Sequence, residues 1–488
     1  MKHITSIKKI LKTANVGLST SNTLLTGMYN NTSKGLTDNG AVTYTRSGSN
    51  LLDFYAQAGA MRNNKEGALD LFKKAFAEDR VKAVRILFYL RDVRGGQGER
   101  ALFRSCLEWL GTDVPEVFEK IVNFVPEYGR YDDLFFDNEK CFDIIKAQVK
   151  EDYQSETPSL LAKWMPTINA SSQTTRAKAR FMANKIGLTE VGYRKTLREI
   201  RKKIKTVEEK MSARKWEEIE YSSVPSQAAR IYKDAFKKHD DVRYSEFIGK
   251  AVKGEVKIQT STLYPYQIYN SVNSNYSQTL EALWNQLPDY TRGNNALVVA
   301  DVSGSMSGDP MSVAVSLALY FAERNKGQFK DHFITFSAEP KLQRIVGETL
   351  LDKMNSIERS KWDMNTNIEK VFSMILNTAT SNNVNPEEMP STIYIISDMQ
   401  FDGCCVWGDT AYESFQKKYQ AAGYEMPSIV FWQVNSTSSN LPVQKDQRGV
   451  AMVSGFSPVI FKMAVENKSP EEVMNDTINS ERYAKIFF

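Results

Sequence analysis

At 488 residues the chain exceeds what one hydrophobic core ordinarily organises, so two or three domains are expected, and 42% apolar with 25% charged residues excludes a disordered or low-complexity protein. No run approaches the roughly 18 apolar residues of a membrane span, and the opening MKHITSIKKILKTANVGLSTSNT has no apolar stretch of signal-peptide length, which predicts a cytoplasmic protein. The formal charge of +5 is unevenly spread: residues 1–290 hold 45 Lys+Arg against 35 Asp+Glu, and residues 291–488 hold 18 against 23.

Residues 1–49 are rich in Ser, Thr, Asn and Gly without a sustained period, which predicts a flexible arm, or one ordered only on a partner. From residue 50 to about 288 the pattern is helical. GALDLFKKAFAEDRVKAVRILFYLRD sets Leu71, Phe72, Ala75 and Phe76 on one face, then Val84, Leu87, Phe88 and Arg91 on the next helix. GERALFRSCLEWLG and DVPEVFEKIVNFVPEYG follow, each three or four turns long and punctuated by Gly or Pro, so stacked helical hairpins of HEAT-like type are expected. The four cysteines, Cys106, Cys141, Cys404 and Cys405, form no CxxC pair and read as free thiols.

After NQLPDYTRGNN, residues 285–295, the pattern changes. The apolar runs ALVVAD, DHFITFS, STIYIISDM, SIVFWQVN and GVAMVSGF alternate with the helical stretches MSVAVSLALYFAERN, IEKVFSMILNTA and AYESFQKKYQAAG. Unbroken apolar strands separated by helices predict a parallel sheet covered on both faces, a doubly wound α/β domain over 289–488. The chain is thus expected to be α plus α/β.

In such a sheet ligands sit beyond the carboxyl ends of the strands. The first strand runs into DVSGSMSGDP, so Asp301, Ser303 and Ser305 are expected to face one crevice. One carboxylate and two hydroxyls are hard oxygen donors, suited to Mg²⁺ or Mn²⁺ and poorly suited to zinc. Thr366 in WDMNTNIEK and Asp398 in YIISDMQFD stand in neighbouring loops as further donors. Helix capping would explain one of these five residues but not the set.

Catalysis is not expected. GSMSG places Met306 where a nucleophile elbow needs serine, only His3, His239 and His332 exist as bases, and no GxxxxGK[ST] is present. Two carboxylates are also few for a metal-dependent nuclease.

Two stretches of the helical half bear positive charge. DVRGGQGER has Arg94 and Arg100 around a glycine turn, read as the link of a helical hairpin or, alternatively, an anion site at the next helix start. Residues 176–215 hold 14 Lys+Arg against four Glu, with Arg176, Lys178, Arg180, Arg194, Lys195, Arg198, Arg201, Lys202 and Lys205 as candidate phosphate contacts. Tyr193, Trp216 and Tyr221 lie alongside as stacking surfaces for RNA, while a solvated basic face paired to Glu199 and Glu208 is the plainer alternative.

The DxSxS run, a loop threonine and a later strand-end aspartate resemble the metal-ion-dependent adhesion site of von Willebrand factor type A domains. That resemblance implies direct ligation by Ser303, Ser305 and Thr366, with Asp301 and Asp398 acting mainly through water. YLRDVRGGQGER, KWMPT, GYRKTLREIRKKIKTVEEKM, WEEIEYSSVPSQA and YKDAFKKHD further resemble a family of plants, viruses and phages that joins a helical region to a type A domain. Through this architecture the chain looks like a distant relative of the Ro autoantigen, or TROVE, proteins. The resemblance implies a non-enzymatic scaffold binding small structured or single-stranded RNA, with a ring of helices closed by the type A domain. The competing expectation is a protein-assembly module, viral or phage, whose metal site captures an acidic residue of a partner.

Overall fold

The computed structural model describes residues 34–291, 295–336, 340–359, 366–403, 410–436 and 440–488. Of the predicted features, residues 1–33 of the arm and the Cys404–Cys405 pair lie outside these. No described helix is long and apolar enough to cross a membrane.

The helical region carries α1 (Asn50–Gln57), α2 (Lys65–Glu78), α3 (Arg80–Arg91), α4 (Ala101–Asp113), α5 (Glu139–Gln154), α6 (Gln173–Lys185), α7 (Glu190–Ile204), α8 (Ser226–His239), α9 (Asp241–Val252), α10 (Pro265–Ser274) and α11 (Gln278–Asn285), with shorter helical pieces between them. Their starts follow local chemistry: Asn64, Asp79, Ser172 and Thr189 each accept a hydrogen bond from a backbone N–H of the first turn. The expected core faces form, with Phe72, Ala75 and Phe76 of α2 and Val84, Leu87 and Phe88 of α3 buried and Leu71 half-buried. Lengths from 8 to 16 residues and the irregular short pieces leave no uniform repeat.

The glycine run between α3 and α4 is a turn, and it faces inward. A Cβ on Gly96 would lie 1.9 Å from the Tyr89 carbonyl oxygen, and one on Gly98, whose φ is +69°, would lie 2.3 Å from the Tyr264 hydroxyl. Gly96 and Gln97 of this turn are buried against neighbouring elements, and Arg100, at the start of the next helix, pairs with Asp132.

The second half is built on a six-stranded sheet. In chain order its strands and main helices are β3 (Ala296–Ala300), α12 (Asp309–Arg324), β4 (His332–Thr335), β5 (Leu342–Arg344), α13 (Leu350–Glu358), α14 (Ile368–Ser381), β6 (Thr392–Ser397), α15 (Ala411–Ala421), β7 (Ser428–Gln433), β8 (Val450–Ser454) and α16 (Pro470–Ile478). The strand order is β5-β4-β3-β6-β7-β8, with β5 antiparallel at the edge and the remaining pairs parallel. Every residue of β3, β6 and β8 is buried, as the unbroken apolar runs require. The chain leaves β3 in one direction and returns on its other side as β6, so the connections diverge between these two strands.

The end of the predicted arm is not free. Residues 34–44 form a hairpin of β1 (Lys34–Leu36) and β2 (Val42–Tyr44), and it lies on the sheet domain: Tyr44 bridges Leu441, and Gly40 bridges Asp402. The partner on which this part of the arm is ordered is the chain's own second half.

Both ends of the helical region also rest on the sheet domain. Gly59, just after α1, donates to Ser454 Oγ at 3.0 Å, and a Cβ there would lie 2.8 Å from the Ser454 carbonyl. Asp92 pairs with Arg482 and accepts from the Tyr483 hydroxyl at 2.9 Å. At the far end α10 packs on α12, while the Tyr266 ring and the Arg62 guanidinium both meet Phe456, at 5.4 and 3.7 Å. The helical path therefore starts and finishes on one sheet domain.

Candidate metal centre and basic helical face

Asp301 prolongs β3 by one residue, its N–H donating to the Ile396 carbonyl at 2.9 Å. It is fully buried. One carboxylate oxygen accepts from the Ser303 N–H at 2.9 Å, and the other from the Ser397 hydroxyl at 2.6 Å. The first contact turns the backbone so that Ser303 and Ser305, the latter in a 3₁₀ turn (Gly304–Met306), bring their hydroxyls within 3.1 Å of each other. Val302 and Met306 point into the core, which leaves the oxygen-bearing side chains together at the rim.

Asp398 stands at the end of the adjoining strand β6. One of its oxygens accepts from the Gln400 N–H at 3.1 Å, while Oδ2 is buried and accepts no hydrogen bond among the described residues. A buried carboxylate oxygen without a donor is costly, and a cation is one way to offset that cost. Thr366 is buried too and is tied to the same rim through its backbone: its N–H donates to Asp402 Oδ2 at 2.9 Å and its carbonyl accepts from the Asp402 N–H at 3.1 Å.

Burial pushes the Asp301 carboxyl up from 3.8 to about 6, and the nearby Asp398 charge adds to the rise. Burial likewise raises Asp398, with the Ser305 hydroxyl pulling the other way and Asp38 contributing a like charge. None of the groups that act most strongly on these carboxyls is a cation. Two desolvated carboxylates with adjacent hydroxyls, and no Lys or Arg among their strongest partners, are a donor set that fits a hard divalent ion. Among the described residues no group of three His, Cys, Asp or Glu side chains is placed to hold a metal by itself, so any ion here depends on the hydroxyls. Ser397 and Asp402 were not singled out from the sequence. Ser397 stands immediately before Asp398 at the strand end, and Asp402 is a second acidic residue four positions on.

The basic run divides by orientation. On α7 the buried positions are Tyr193, Leu197 and Ile200, which turns Arg194, Lys195, Arg198 and Lys202 outward, with Lys205 exposed just beyond the helix. Lys178 and Arg180 of α6 are exposed as well. Arg180 pairs with Glu190, and Arg198 and Lys202 share Glu199. An open groove of about 430 Å³ runs between the two helices, lined by Arg176, Arg180 and Arg194 with Ile168, Glu190 and Val191.

Arg201 does not belong to this face. Its guanidinium donates to the Ala162 and Met165 carbonyls, both at 2.8 Å, and to the Thr167 hydroxyl at 3.1 Å, holding residues 161–167 against α7. Arg176 likewise spends one nitrogen on the Ala170 and Ser171 carbonyls at 2.7 Å. Arg94 and Arg100 are removed from it by their partners: Arg94 donates to the Glu127 carbonyl, and Arg100 joins Arg104 and Arg130 around Asp132 and Asp133. The expected stacking surfaces are also corrected. Tyr193 and Tyr221 are core residues bonded to the Pro166 carbonyl and Asp240, and Trp216 stacks on His239 at 4.5 Å. Phe181 of α6 is an exposed ring, 43% accessible, whose neighbours are Phe142 at 5.8 Å and the Lys185 ammonium at 5.5 Å; it was missed in the sequence because it reads as part of the apolar face of α6.

The model of the domain of unknown function DUF2828 matches residues 37–124 and 133–296, more than half of the chain, and the chain belongs to that family. The model of the domain of unknown function DUF7788 matches residues 295–485. The uncharacterized protein L728 of Acanthamoeba polyphaga mimivirus is 29% identical over 492 residues, covering 90% of this chain and 86% of that protein. The crystal structure of the Ro (RSR) protein of Deinococcus radiodurans aligns with 87% of this chain and 93% of its own at 10% identity, with a TM-score of 0.30. A superposition that loose carries no argument about function.

Proposed function

We propose that this DUF2828 protein is a non-enzymatic RNA-binding scaffold in which the outward face of α6 and α7 holds the phosphate backbone and the sheet domain is a type A domain that takes Mg²⁺ or Mn²⁺. The observation that carries the RNA reading is the exposed set Lys178, Arg180, Arg194, Lys195, Arg198, Lys202 and Lys205, flanked on its own helices by only Glu190 and Glu199 and bordered by a cationic groove. Such a surface attracts a polyanion by releasing its counterions, so binding weakens steeply with salt. The test is a filter-binding titration with single-stranded and hairpin RNA at two salt concentrations. The wild type is expected to bind at micromolar or lower concentration with a steep salt slope, and the triple variant Arg194→Glu, Arg198→Glu, Lys202→Glu to lose retention. Unchanged binding by the variant removes this face from consideration.

A second reading has its own observation. Asp398 Oδ2, buried and without a donor among the described residues, supports an ion held by Asp301, Ser303, Ser305, Thr366 and Asp398. Such an ion, when bound, supplies a Lewis-acidic position for an anionic oxygen of a ligand. If that oxygen belongs to an acidic side chain, the protein is an assembly module rather than an RNA scaffold. Protein purified without nuclease separates the two: a high 260/280 nm absorbance ratio supports the RNA scaffold, and a low ratio together with an EDTA-sensitive protein complex supports the assembly module.

A further inference from the structure

The groove of about 430 Å³ between α6 and α7 brings three guanidinium-bearing residues to one place. Arg176 and Arg180 stand four residues apart on α6 and so share a face, and Arg194 comes from α7. The three differ in what they already hold. Arg176 is fixed: one terminal nitrogen donates to the Ala170 and Ser171 carbonyls at 2.7 Å, and its other two nitrogens have no acceptor among the described residues. A guanidinium pinned at one nitrogen is oriented before a ligand arrives. Arg180 pairs with Glu190 through Nε at 3.2 Å, but both side chains are more than half exposed, and a pair in that setting contributes little and is readily exchanged. Arg194 has no acceptor among the described residues. Ile168 and Val191 give the same groove an aliphatic side, and Val191 is 53% accessible.

We propose that this groove seats the phosphorylated end of an RNA strand, taking a terminal phosphomonoester, 5′ or 3′, on Arg176, Arg180 and Arg194 and its nucleoside against Ile168 and Val191. The proposal rests on the reading that the outer face of α6 and α7 binds RNA, and it assigns one part of that RNA to the groove. Charge decides between the end and the middle of a strand. Three arginines against the single carboxylate of Glu190 leave the groove with a net charge of two. A phosphodiester inside a strand carries about one negative charge, whereas a phosphomonoester carries about 1.5 to 2 near neutral pH and offers three acceptor oxygens. The terminal group is the better match, and its oxygens suit planar forks that approach from two helices. Size argues the same way, since the groove has the volume of a site for a small organic ligand, and an aliphatic side adds nothing to the capture of a bare phosphate. Lys195, Arg198 and Lys202 continue outside the groove along the exposed face of α7, where the following phosphates of the same strand would run.

The experiment titrates the full chain against one short single-stranded RNA carrying a 5′-phosphate, a 3′-phosphate, or hydroxyls at both ends, followed by fluorescence anisotropy of an internal label. The wild type is expected to bind at least one phosphorylated strand about tenfold tighter than the hydroxyl-ended strand, and the strand that gains identifies the end. Arg194→Ala, at an exposed position without a partner, is expected to lose this preference at an unchanged melting temperature. Arg198→Ala, outside the groove, is expected to weaken all three strands alike and keep the preference. Glu190→Gln is expected to raise the preference about twofold, because it removes the carboxylate that competes for Arg180. Equal wild-type affinity for the three strands overturns the proposal and leaves the RNA-binding reading standing, and so does a preference that survives in Arg194→Ala. If the wild type binds none of the strands, the proposal and the reading beneath it fall together.

Discussion

The rim of the sheet and the outer face of α6–α7 are both concentrations of charge, but they are solved in opposite ways. At the rim the carboxylates of Asp301 and Asp398 are buried beside each other, and their ionised forms are disfavoured until something positive arrives. On the helices the cations stand in water, and most of their mutual repulsion is screened. Arg201 shows where the boundary lies: one helical step from Lys202, it is turned inward and its charge is consumed by three oxygen acceptors. Charge that is buried is consumed by neighbouring groups or held in its disfavoured form, whereas charge left in solvent is accessible.

The largest test of that contrast is Arg201 itself. Arg201→Ala leaves two carbonyls and a hydroxyl without their donor, and a loss of about 3 kcal/mol in stability is expected from denaturant unfolding. Arg198→Ala, three residues away and exposed, is expected to change stability by less than about 0.5 kcal/mol. If the two variants unfold alike, orientation on α7 is not what separates structural from available charge.

Next in size is the rim. At a hundred times its dissociation constant, Mg²⁺ is expected to stabilise the wild type by about 2.7 kcal/mol. Asp301→Asn is expected to abolish this gain while melting no lower than the wild type in EDTA, since a buried amide costs less than a buried carboxylate. The pH dependence follows from the same burial. Asp301 titrates near 6 when folded and at 3.8 in its unperturbed state, so between these values the folded chain holds a proton the unfolded chain has released. Stability from this group is present below 3.8 and is lost as pH rises through 6. Ion-free protein should therefore melt lower at pH 7 than at pH 5 from this contribution, and saturating Mg²⁺ should remove or reverse the difference.

The same contrast explains what could be read in advance. The strands were legible because β3, β6, β7 and β8 are buried along nearly their whole length and leave unbroken apolar runs, and the divergence of connections placed Asp301 and Asp398 side by side. The short edge strand β5 was not, because LQR is exposed at both ends and carries no pattern. On α7 a stripe of cations could be seen but not its edge, since Arg201 differs from Arg198 only by which side of Leu197 and Ile200 it falls. The docking of residues 34–44 was invisible because it depends on Thr37 and Asn39 meeting main-chain atoms more than 350 residues away.

The smallest effects sharpen the comparison most, because at Lys205 stability and binding are expected to move in opposite directions. This residue ends α7 with φ +51° and ψ +49°, a left-handed conformation that costs a residue with a Cβ roughly 1 kcal/mol and costs glycine almost nothing. Its positive charge at a helix C-terminus returns a few tenths of a kcal/mol, about 0.3 at an exposed position. Lys205→Gly should therefore raise stability by about 0.5 kcal/mol, measured by denaturant unfolding. If the exposed cations of α7 bind phosphate, the same change lowers the slope of log affinity against log salt by about 1, as Arg198→Ala does. A stabilised variant with an unaltered slope would mean that the phosphate path ends before the last turn of the helix, at Lys202.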